Sequence, residues 1–297
     1  MRVWPTAALA SLLALVVAAP GASAATALDA PTKVVRVDKQ KVGYRSFGTG
    51  RPLVMIMGLG GSMGGWDPTS LDAIAAAGHR VVIFDNEGVG RSTAATGPLT
   101  IRRMADTTAG LIARLRLKRP DVAGWSMGGM IAQSLAVRHP GSLRRLVLLA
   151  TAPGDGKGAA PYPDALKALT GGTGDVNVLL GLLFPADQTV ARDRYVANIL
   201  TRRPFEPVAP AGVAARQTSA SGAWLTGQDA DGKRVAKLKL PVLVAGGEQD
   251  HLLPFANQLH LAAMLRGAAL ISYADASHGF FIQHADDFIP RLNAFIA

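Results

Sequence analysis

The sequence predicts an α/β protein whose mostly parallel sheet is flanked by helices. The first observation is a set of apolar runs without polar alternation, such as residues 53–57, which is typical of strands buried on both faces of a parallel sheet. The second is that segments with helical spacing alternate with these runs, which favours right-handed crossovers. The third is an interruption at residues 154–237, where helix patterns stand alone and predict a helical cap inserted into the core.

The first half of the chain supplies the centre of the predicted sheet. Two short runs flank a polar turn and indicate an antiparallel edge, and buried strands then alternate with helices, the last of which ends before Pro140. The predicted strands are 33–37, 42–47, 53–57, 80–84, 121–123 and 145–150, and the predicted helices are 67–77, 99–117 and 127–139.

The second half contains the cap and the end of the sheet. Prolines separate the helical stretches of the cap, and buried-strand character returns at residue 240. The predicted helices are 176–184, 189–201, 208–221, 255–265 and 285–295, and the predicted strands are 240–246 and 269–273. A chain of 297 residues, 49% of them hydrophobic, is expected to form one core domain from residues 25–153 and 238–297 with the cap, 154–237, inserted.

The N-terminus has the pattern of an export signal. Arg2 supplies a positive charge, residues 9–19 are almost all apolar, and Ala-Ser-Ala at 22–24 forms a small-residue cleavage site. We therefore predict a cleaved signal at residues 1–24 and a secreted or periplasmic protein, with an uncleaved membrane anchor as the alternative. The absence of cysteine favours a soluble exported protein over a lipid-anchored one and excludes disulfides.

The net charge of +10 raises the question of an anionic partner. The basic residues form short scattered pairs, at 102–103, 144–145 and 202–203, without interleaved aromatic residues. This pattern favours a solvated positive surface, so we expect no nucleic-acid partner. We also expect no stable membrane insertion after signal cleavage, and the oligomeric state stays open.

A Gly-Trp-Ser-Met-Gly sequence at residues 124–128 joins a predicted strand to a predicted helix. Gly124 and Gly128 lack the side chains that would collide in so tight a turn, and the hydroxyl of Ser126 is raised above the sheet edge. The first N–H groups of the helix point to where an oxyanion would form. A glycine-rich turn that merely begins a helix is the alternative, but the strand-turn-helix context favours a catalytic serine.

An acid and a histidine follow the last two predicted strands. Asp250 lies in the loop after 240–246, and His278 lies in the loop after 269–273. Functional groups of such sheets gather at the carboxyl ends of the strands. A serine hydroxyl needs a neutral imidazole to accept its proton, and a carboxylate fixes the tautomer of that imidazole.

Together these motifs resemble the α/β-hydrolase family over nearly all of residues 33–297 apart from the cap. The resemblance implies that Ser126 is the nucleophile, Asp250 the acid and His278 the base. Glu248 is the alternative acid, but its position in the motif favours Asp250. His251 is the alternative base, but neighbours on one turn rarely face each other, which favours His278.

The resemblance extends to two loops. Met-Gly-Leu-Gly at 57–60 lies where the family usually carries His-Gly-x-x, which implies that the N–H groups of Leu59 and Met127 hold the oxyanion. Residues 85–92 resemble the family turn Asp-x-x-Gly-x-Gly-x-Ser, with Glu87 where arginine is common, and Asp85 is expected to brace the loops. The departures at Met57 and Glu87 leave the chemistry intact.

The expected activity is hydrolysis of small-to-medium carboxylic esters through an acyl-enzyme. Trp125, Gly60 and Ser62 are expected to contact a small-molecule substrate. No cofactor is expected, and no pair of histidines or carboxylates near the serine has the spacing of metal ligands. An aminopeptidase or amidase, a lactonase, a perhydrolase and a non-catalytic small-molecule receptor are the alternatives that the resemblance leaves open.

Overall fold

The computed structural model describes residues 25–94, 96–170, 176–202, 206 and 208–297. The described residues form one eight-stranded sheet with the order β1-β2-β4-β3-β5-β6-β7-β8. The strands are β1 (Lys33–Val37), β2 (Gln40–Phe47), β3 (Arg51–Ile56), β4 (His79–Phe84), β5 (Asp121–Trp125), β6 (Leu146–Leu149), β7 (Val242–Gly247) and β8 (Ala269–Tyr273). The pairs β1-β2 and β2-β4 are antiparallel and the other neighbours are parallel, so the predicted fold class is confirmed.

The side chains on the two faces of the sheet pack into two separate hydrophobic layers. In β3, Val54 and Ile56 pack into one layer, whereas Leu53 and Met55 pack into the other. Successive side chains of a strand point to opposite faces. The apolar runs without alternation arise because both faces are covered.

Helices cover both faces. They are α1 (Pro68–Ala76), α2 (Ile101–Arg114), α3 (Met127–Arg138), α4 (Pro163–Thr170), α5 (Val176–Leu183), α6 (Thr189–Leu200), α7 (Ala211–Leu225), α8 (Ala256–Met264), α9 (Phe280–Gln283) and α10 (Ala285–Ile296). Asp67 begins α1 by accepting a hydrogen bond from the N–H of Ser70, and Pro68 supplies a preset first helical position. Residues 127–137 of α3 are all buried because this helix packs between the sheet, α2 and the inserted segment.

Four of these helices, α4 to α7, and a short 3-10 helix (Gly232–Lys237) lie between β6 and β7, within the predicted cap. The sequence patterns missed α4, α9 and the 3-10 helix, and α7 lies at Ala211–Leu225 rather than at 208–221. Pro210 explains the shift, because a proline disfavours helical backbone in the residue before it, and the helix begins after Pro210.

The segment inserted between β6 and β7 is attached to the core by polar contacts. Arg45 on β2 is buried and donates to the carboxylate of Glu206, and burial lowers the pKa of Arg45 to about 10. The hydroxyl of Tyr195 on α6 donates to the carbonyl of Gly65 at 2.8 Å. Asn198, one turn further along α6, donates to Asp67 at 2.8 Å.

The predicted export signal, residues 1–24, lies outside the described residues. Within the described part of the chain, no helix combines the length and apolar character that crossing a bilayer requires.

Candidate active site

The strand order places β5 between β3 and β6 at the centre of the sheet. The loops that follow these three parallel strands therefore meet at one edge. Ser126 follows β5, residues 57–62 follow β3, and residues 150–153 follow β6. The predicted serine turn thus lies between two loops that can shape its surroundings.

Ser126 has a backbone that few non-glycine residues adopt, with φ 58° and ψ −123°. A Cβ on Gly124 would lie 2.2 Å from the carbonyl oxygen of Gly128, and a Cβ on Gly128 would lie 2.0 Å from that of Ile56. Only glycine therefore fits at both positions. A strained residue of this kind costs about 1–3 kcal/mol, which the packing around it must offset.

The turn is also tied to β6. The N–H of Ser126 donates to the carbonyl of Leu149 at 2.9 Å, and the hydroxyl of Thr151 donates to the carbonyl of Ser126 at 2.7 Å. Gly129 passes so close to Thr151 that an added Cβ would lie 2.6 Å from its side chain. These contacts leave the strained serine little freedom to relax.

The loop after β3 lies directly against the serine. A Cβ on Gly58 would come within 3.1 Å of the Cβ of Ser126 and 3.6 Å of its Oγ. The N–H of Leu59 belongs to the peptide group that joins Gly58 to Leu59, so it lies next to Gly58. Met127 is the first residue of α3, so its N–H has no partner within the helix. Both predicted oxyanion donors are thus close to Ser126 along the chain or through space.

Asp250 and His278 form a buried hydrogen-bonded pair. Nδ1 of His278 lies 2.7 Å from one carboxylate oxygen of Asp250, and the side chains are 3% and 1% exposed. The other oxygen of Asp250 accepts the N–H groups of Leu252 at 2.8 Å and Leu253 at 2.9 Å. The carboxylate has no donor of its own when ionised, so this contact assigns the proton to Nδ1 of His278.

The alternative acid and base lie elsewhere. Glu248 is exposed, and its N–H donates to the carbonyl of Tyr273 at 2.9 Å. His251 is exposed too; its ring lies at a tilt against that of Tyr162 with centres 4.7 Å apart, and its Nδ1 is 3.6 Å from the carboxylate of Asp164. Neither alternative shares the buried position of the Asp250–His278 pair.

Trp125 belongs to a buried aromatic cluster. Its ring centre is 5.1 Å from that of Phe281 and 5.9 Å from that of Trp66. Its indole Nε1 donates to the carbonyl of His278 at 3.0 Å, and the two rings lie 5.6 Å apart. Trp125 therefore holds the histidine loop in place. Its predicted contact with substrate stays a prediction.

Gly60 and Ser62 lie in the loop after β3. A Cβ on Gly60 would meet nothing within 4 Å, so the space beside it is open. Ser62 is buried, and its carbonyl accepts the N–H of Gly65 at 3.0 Å in a short 3-10 turn. Substrate contacts at both positions remain predictions.

A family model for the alpha/beta hydrolase fold matches residues 51–285. The chain belongs to this family. The matched region begins at β3 and ends at the start of α10, so it includes both the sheet centre and the loops that carry Ser126, Asp250 and His278.

Individual members of the family resemble this hydrolase-fold chain to different extents. It is 28% identical over 254 residues to a 2-hydroxymuconate semialdehyde hydrolase of Pseudomonas sp. strain CF600, covering 84% of this chain and 88% of that one. The structure of the enol-lactonase from Burkholderia xenovorans LB400 matches with a TM-score of 0.70 and 28% identity, over 89% of this chain and 99% of that one. These findings support a hydrolase.

A shorter match involves the protein BpoC of Mycobacterium tuberculosis, which its name provisionally describes as a non-heme bromoperoxidase. The identity is 43% over 110 residues, which is 37% of this chain and 42% of that protein. The chain therefore matches less than half the length of this relative.

The turn at residues 85–92 braces the site as expected. The carboxylate of Asp85 accepts the N–H groups of Met63 at 2.8 Å and Arg91 at 2.9 Å. Burial raises the pKa of Asp85, and these two hydrogen bonds oppose the rise. Glu87, the departure from the family pattern, is buried and accepts a hydrogen bond from Arg103 at 2.9 Å. An arginine on α2 is thus paired with the acid that stands where the family often has arginine.

Several residues that shape the site carried no signal in the sequence. Asn86 donates to the carbonyl of Met57 at 2.8 Å and so holds the loop after β3. Gln217 on α7 accepts the N–H of Gly60 at 2.7 Å from 157 residues away in the chain. Local patterns cannot reveal a contact of such separation. In the sequence, Gln217 is simply a polar residue within a predicted helix.

The described residues contain no group of three or more histidine, cysteine, aspartate or glutamate side chains placed to hold a metal ion.

Proposed function

We propose that this chain is an exported serine hydrolase that cleaves small-to-medium carboxylic esters through an acyl-enzyme intermediate. The observation that carries the proposal is the buried Asp250–His278 hydrogen bond of 2.7 Å in a chain whose strained turn presents Ser126. Asp250, His278 and Ser126 then take the roles of acid, base and nucleophile.

In the first step Oγ of Ser126 attacks the ester carbonyl carbon. Nε2 of His278 takes the hydroxyl proton, and Asp250 stabilises the imidazolium through Nδ1–H. The N–H groups of Leu59 and Met127 donate to the developing oxyanion. Collapse breaks the bond to the alcohol, which leaves with the proton from His278, and Ser126 keeps the acyl group.

In the second step a water molecule replaces the alcohol. His278 takes a proton from the water as its oxygen attacks the acyl carbon, and the same N–H groups hold the second oxyanion. Collapse releases the carboxylic acid and returns the proton to Oγ of Ser126. Amide hydrolysis would follow the same path with a poorer leaving group.

The inserted helices support a preference for small and medium acyl groups. Gly60 is bound from two sides by this segment, through Gln217 and through the N–H of Ala209 at 2.7 Å. A cover held this closely to the loop beside Ser126 excludes water and limits the length of the acyl chain. Lactone hydrolysis is the second candidate, because a lactone is a cyclic ester and the chain resembles an enol-lactonase over 89% of its length.

Export rests on the sequence pattern of residues 1–24, with Arg2, the apolar run 9–19 and the small residues before Ala25.

A panel of 4-nitrophenyl esters with acyl chains of graded length tests the proposal, with aminoacyl 4-nitroanilides and a lactone alongside. We expect each fitted methylene to stabilise the transition state by roughly 1 kcal/mol, so that kcat/KM rises with chain length, reaches a maximum at short-to-medium chains and then falls. Faster cleavage of the anilides would favour an amidase. A rise that continued through long chains, with activation at an oil–water interface, would contradict the size preference. Tight ligand retention without turnover would indicate a receptor.

A further inference from the structure

Helix α7 is hydrogen-bonded to two loops at the sheet edge that carries the serine turn. Near its middle, Gln217 binds Gly60 in the loop after β3 at 2.7 Å. Near its end, Nε1 of Trp224 donates to the carbonyl of Ala152 in the loop after β6 at 3.2 Å. The helix rises roughly 10 Å between these residues. The distance from β3 to β6 is two strand spacings, also about 10 Å.

The strand between these two anchors is β5, which ends at Trp125, directly before Ser126. Ser221 lies on α7 one turn after Gln217 and almost one turn before Trp224, so the three share one face of the helix. All three are buried. Gln217 and Ser221 therefore lie on the face of α7 that spans the end of β5.

Both residues have a polar atom without a partner among the residues that the structure describes. Gln217 is fully buried, and its Nε2 finds no hydrogen-bond acceptor. Ser221 is 8% exposed, and its Oγ has no partner either. Hydroxyls within a helix usually donate to the carbonyl four residues back. Thr218 and Thr226 on or next to α7 do so at 3.0 and 2.8 Å, whereas Ser221 does not.

The chemistry of these atoms defines what they can bind. Oε1 of Gln217 is occupied by the N–H of Gly60, so the amide has only its two N–H donors left. The hydroxyl of Ser221 can donate as well. Nε2 lies within about 5 Å of the N of Gly60, since the two polar atoms of one amide are roughly 2.2 Å apart. Nε2 of Gln217 thus lies beside the predicted oxyanion loop, and Ser221 follows one turn later on the same face of α7. A neutral carbonyl oxygen suits such a buried pair, because a carboxylate would be desolvated there without a paired cation.

We propose that Gln217 and Ser221 form a subsite that binds a second, neutral carbonyl group in the acyl part of the substrate. The inference rests on the proposed function and narrows its substrate class to esters with a keto, ester or amide carbonyl a few atoms from the scissile bond. Gln217 also positions the loop after β3 by holding the N–H of Gly60. Ser221 has no contact of that kind, so a substitution of Ser221 tests the subsite without releasing the loop.

Substrate pairs that differ in one carbonyl test the subsite. The probes are the 4-nitrophenyl esters of pentanoic, 3-oxopentanoic and 4-oxopentanoic acids, with spontaneous hydrolysis subtracted. The readout is the ratio of kcat/KM for the better oxo ester to that for the pentanoate. Intrinsic reactivity cancels when this ratio is compared between the wild type and a variant.

Ser221→Ala should lower the ratio about 3- to 10-fold, which is the usual effect of one hydrogen bond. Gln217→Met should lower the ratio and, in addition, lower kcat on the plain ester because Gly60 is released. Thr218→Ala on the same helix is the control and should leave the ratio unchanged. If the ratio in Ser221→Ala and Gln217→Met equals that of the wild type, the two atoms bind only water and the proposal is wrong.

Failure of the proposed function is recognised separately. If the wild-type protein cleaves no ester and a fluorophosphonate does not label Ser126, the hydrolase mechanism fails. The subsite is then measured by calorimetry with methyl 4-oxopentanoate and methyl pentanoate. Tighter binding of the oxo ester that Ser221→Ala abolishes would support the subsite, and equal binding of the two esters would overturn it.

Discussion

Nδ1 of His278 lies 2.7 Å from the carboxylate of Asp250, and that carboxylate also accepts two backbone N–H groups of its own loop. The carboxylate is therefore held in place independently of the histidine. Its position orients the imidazole with Nδ1 protonated, which leaves Nε2 free to accept a proton from a serine. The catalytic proposal depends on this orientation more than on any other single contact.

Removing the charge of Asp250 should disable the histidine without changing its shape. Asp250→Asn is expected to lower kcat by about 10²–10⁴-fold, because an amide can no longer specify the productive tautomer. Glu248→Gln is the matched control and should keep most activity, since Glu248 is exposed. Steady-state kinetics on one 4-nitrophenyl ester compares the two. A larger loss in Glu248→Gln would mean that the acid is assigned wrongly.

A substitution of Trp125 can show whether this residue positions His278 or contacts the substrate. Trp125→Phe removes the indole N–H that holds the carbonyl of His278 at 3.0 Å, but it keeps an aromatic ring in the cluster. We expect kcat to fall about 3- to 30-fold with little change in KM, because a misplaced base impairs the chemical step. An increase in KM at unchanged kcat would instead assign Trp125 to substrate binding.

The close crossing of the serine turn and β3 predicts a contrast between two glycines. Gly128→Ala would place a methyl group 2.0 Å from the carbonyl oxygen of Ile56, and we expect it to lower the free energy of unfolding by more than about 3 kcal/mol. Gly222→Ala on α7 meets nothing within 4 Å and should raise the free energy of unfolding by about 0.4–1 kcal/mol. Urea denaturation measures both. Wild-type stability of Gly128→Ala would show that the crossing is looser than described.

Export predicts a specific mature N-terminus. We expect the exported protein to begin at Ala25, because Ala22 and Ala24 supply the small residues of a cleavage site. N-terminal sequencing of exported material checks this. Ala24→Leu should block cleavage and leave the precursor attached to the membrane. Exported wild-type protein that retained residues 1–24 would refute cleavage and favour an anchor.

The central strands of the sheet could be predicted because burial on both faces leaves a strong local pattern. The run at residues 53–57, for example, differs from β3 by only a residue or two at each end. The serine turn was predictable for a related reason, since a close crossing demands glycine at fixed positions beside Ser126. Chain order and the rule that functional groups gather at strand ends pointed to the two loops that carry Asp250 and His278, whereas the choice of Asp250 over Glu248 rested on the resemblance to the family motif.

The segment inserted between β6 and β7 was less predictable because its structure depends on distant contacts. Helix α7 is positioned by Gln217 and Trp224, which bind loops 157 and 72 residues away. Neither contact leaves a local pattern. The aromatic residue of the serine motif, Trp125, illustrates the same limit, since its hydrogen bond to the histidine loop joins residues 153 positions apart.

The most direct test of the account is covalent labelling of the proposed nucleophile. A fluorophosphonate probe followed by peptide mass spectrometry should modify Ser126 in the wild type. Ser126→Ala should abolish labelling and lower kcat by about 10⁴–10⁶-fold, whereas Ser62→Ala should still be labelled at Ser126. Labelling at Ser62, or full esterase activity in Ser126→Ala, would contradict the account.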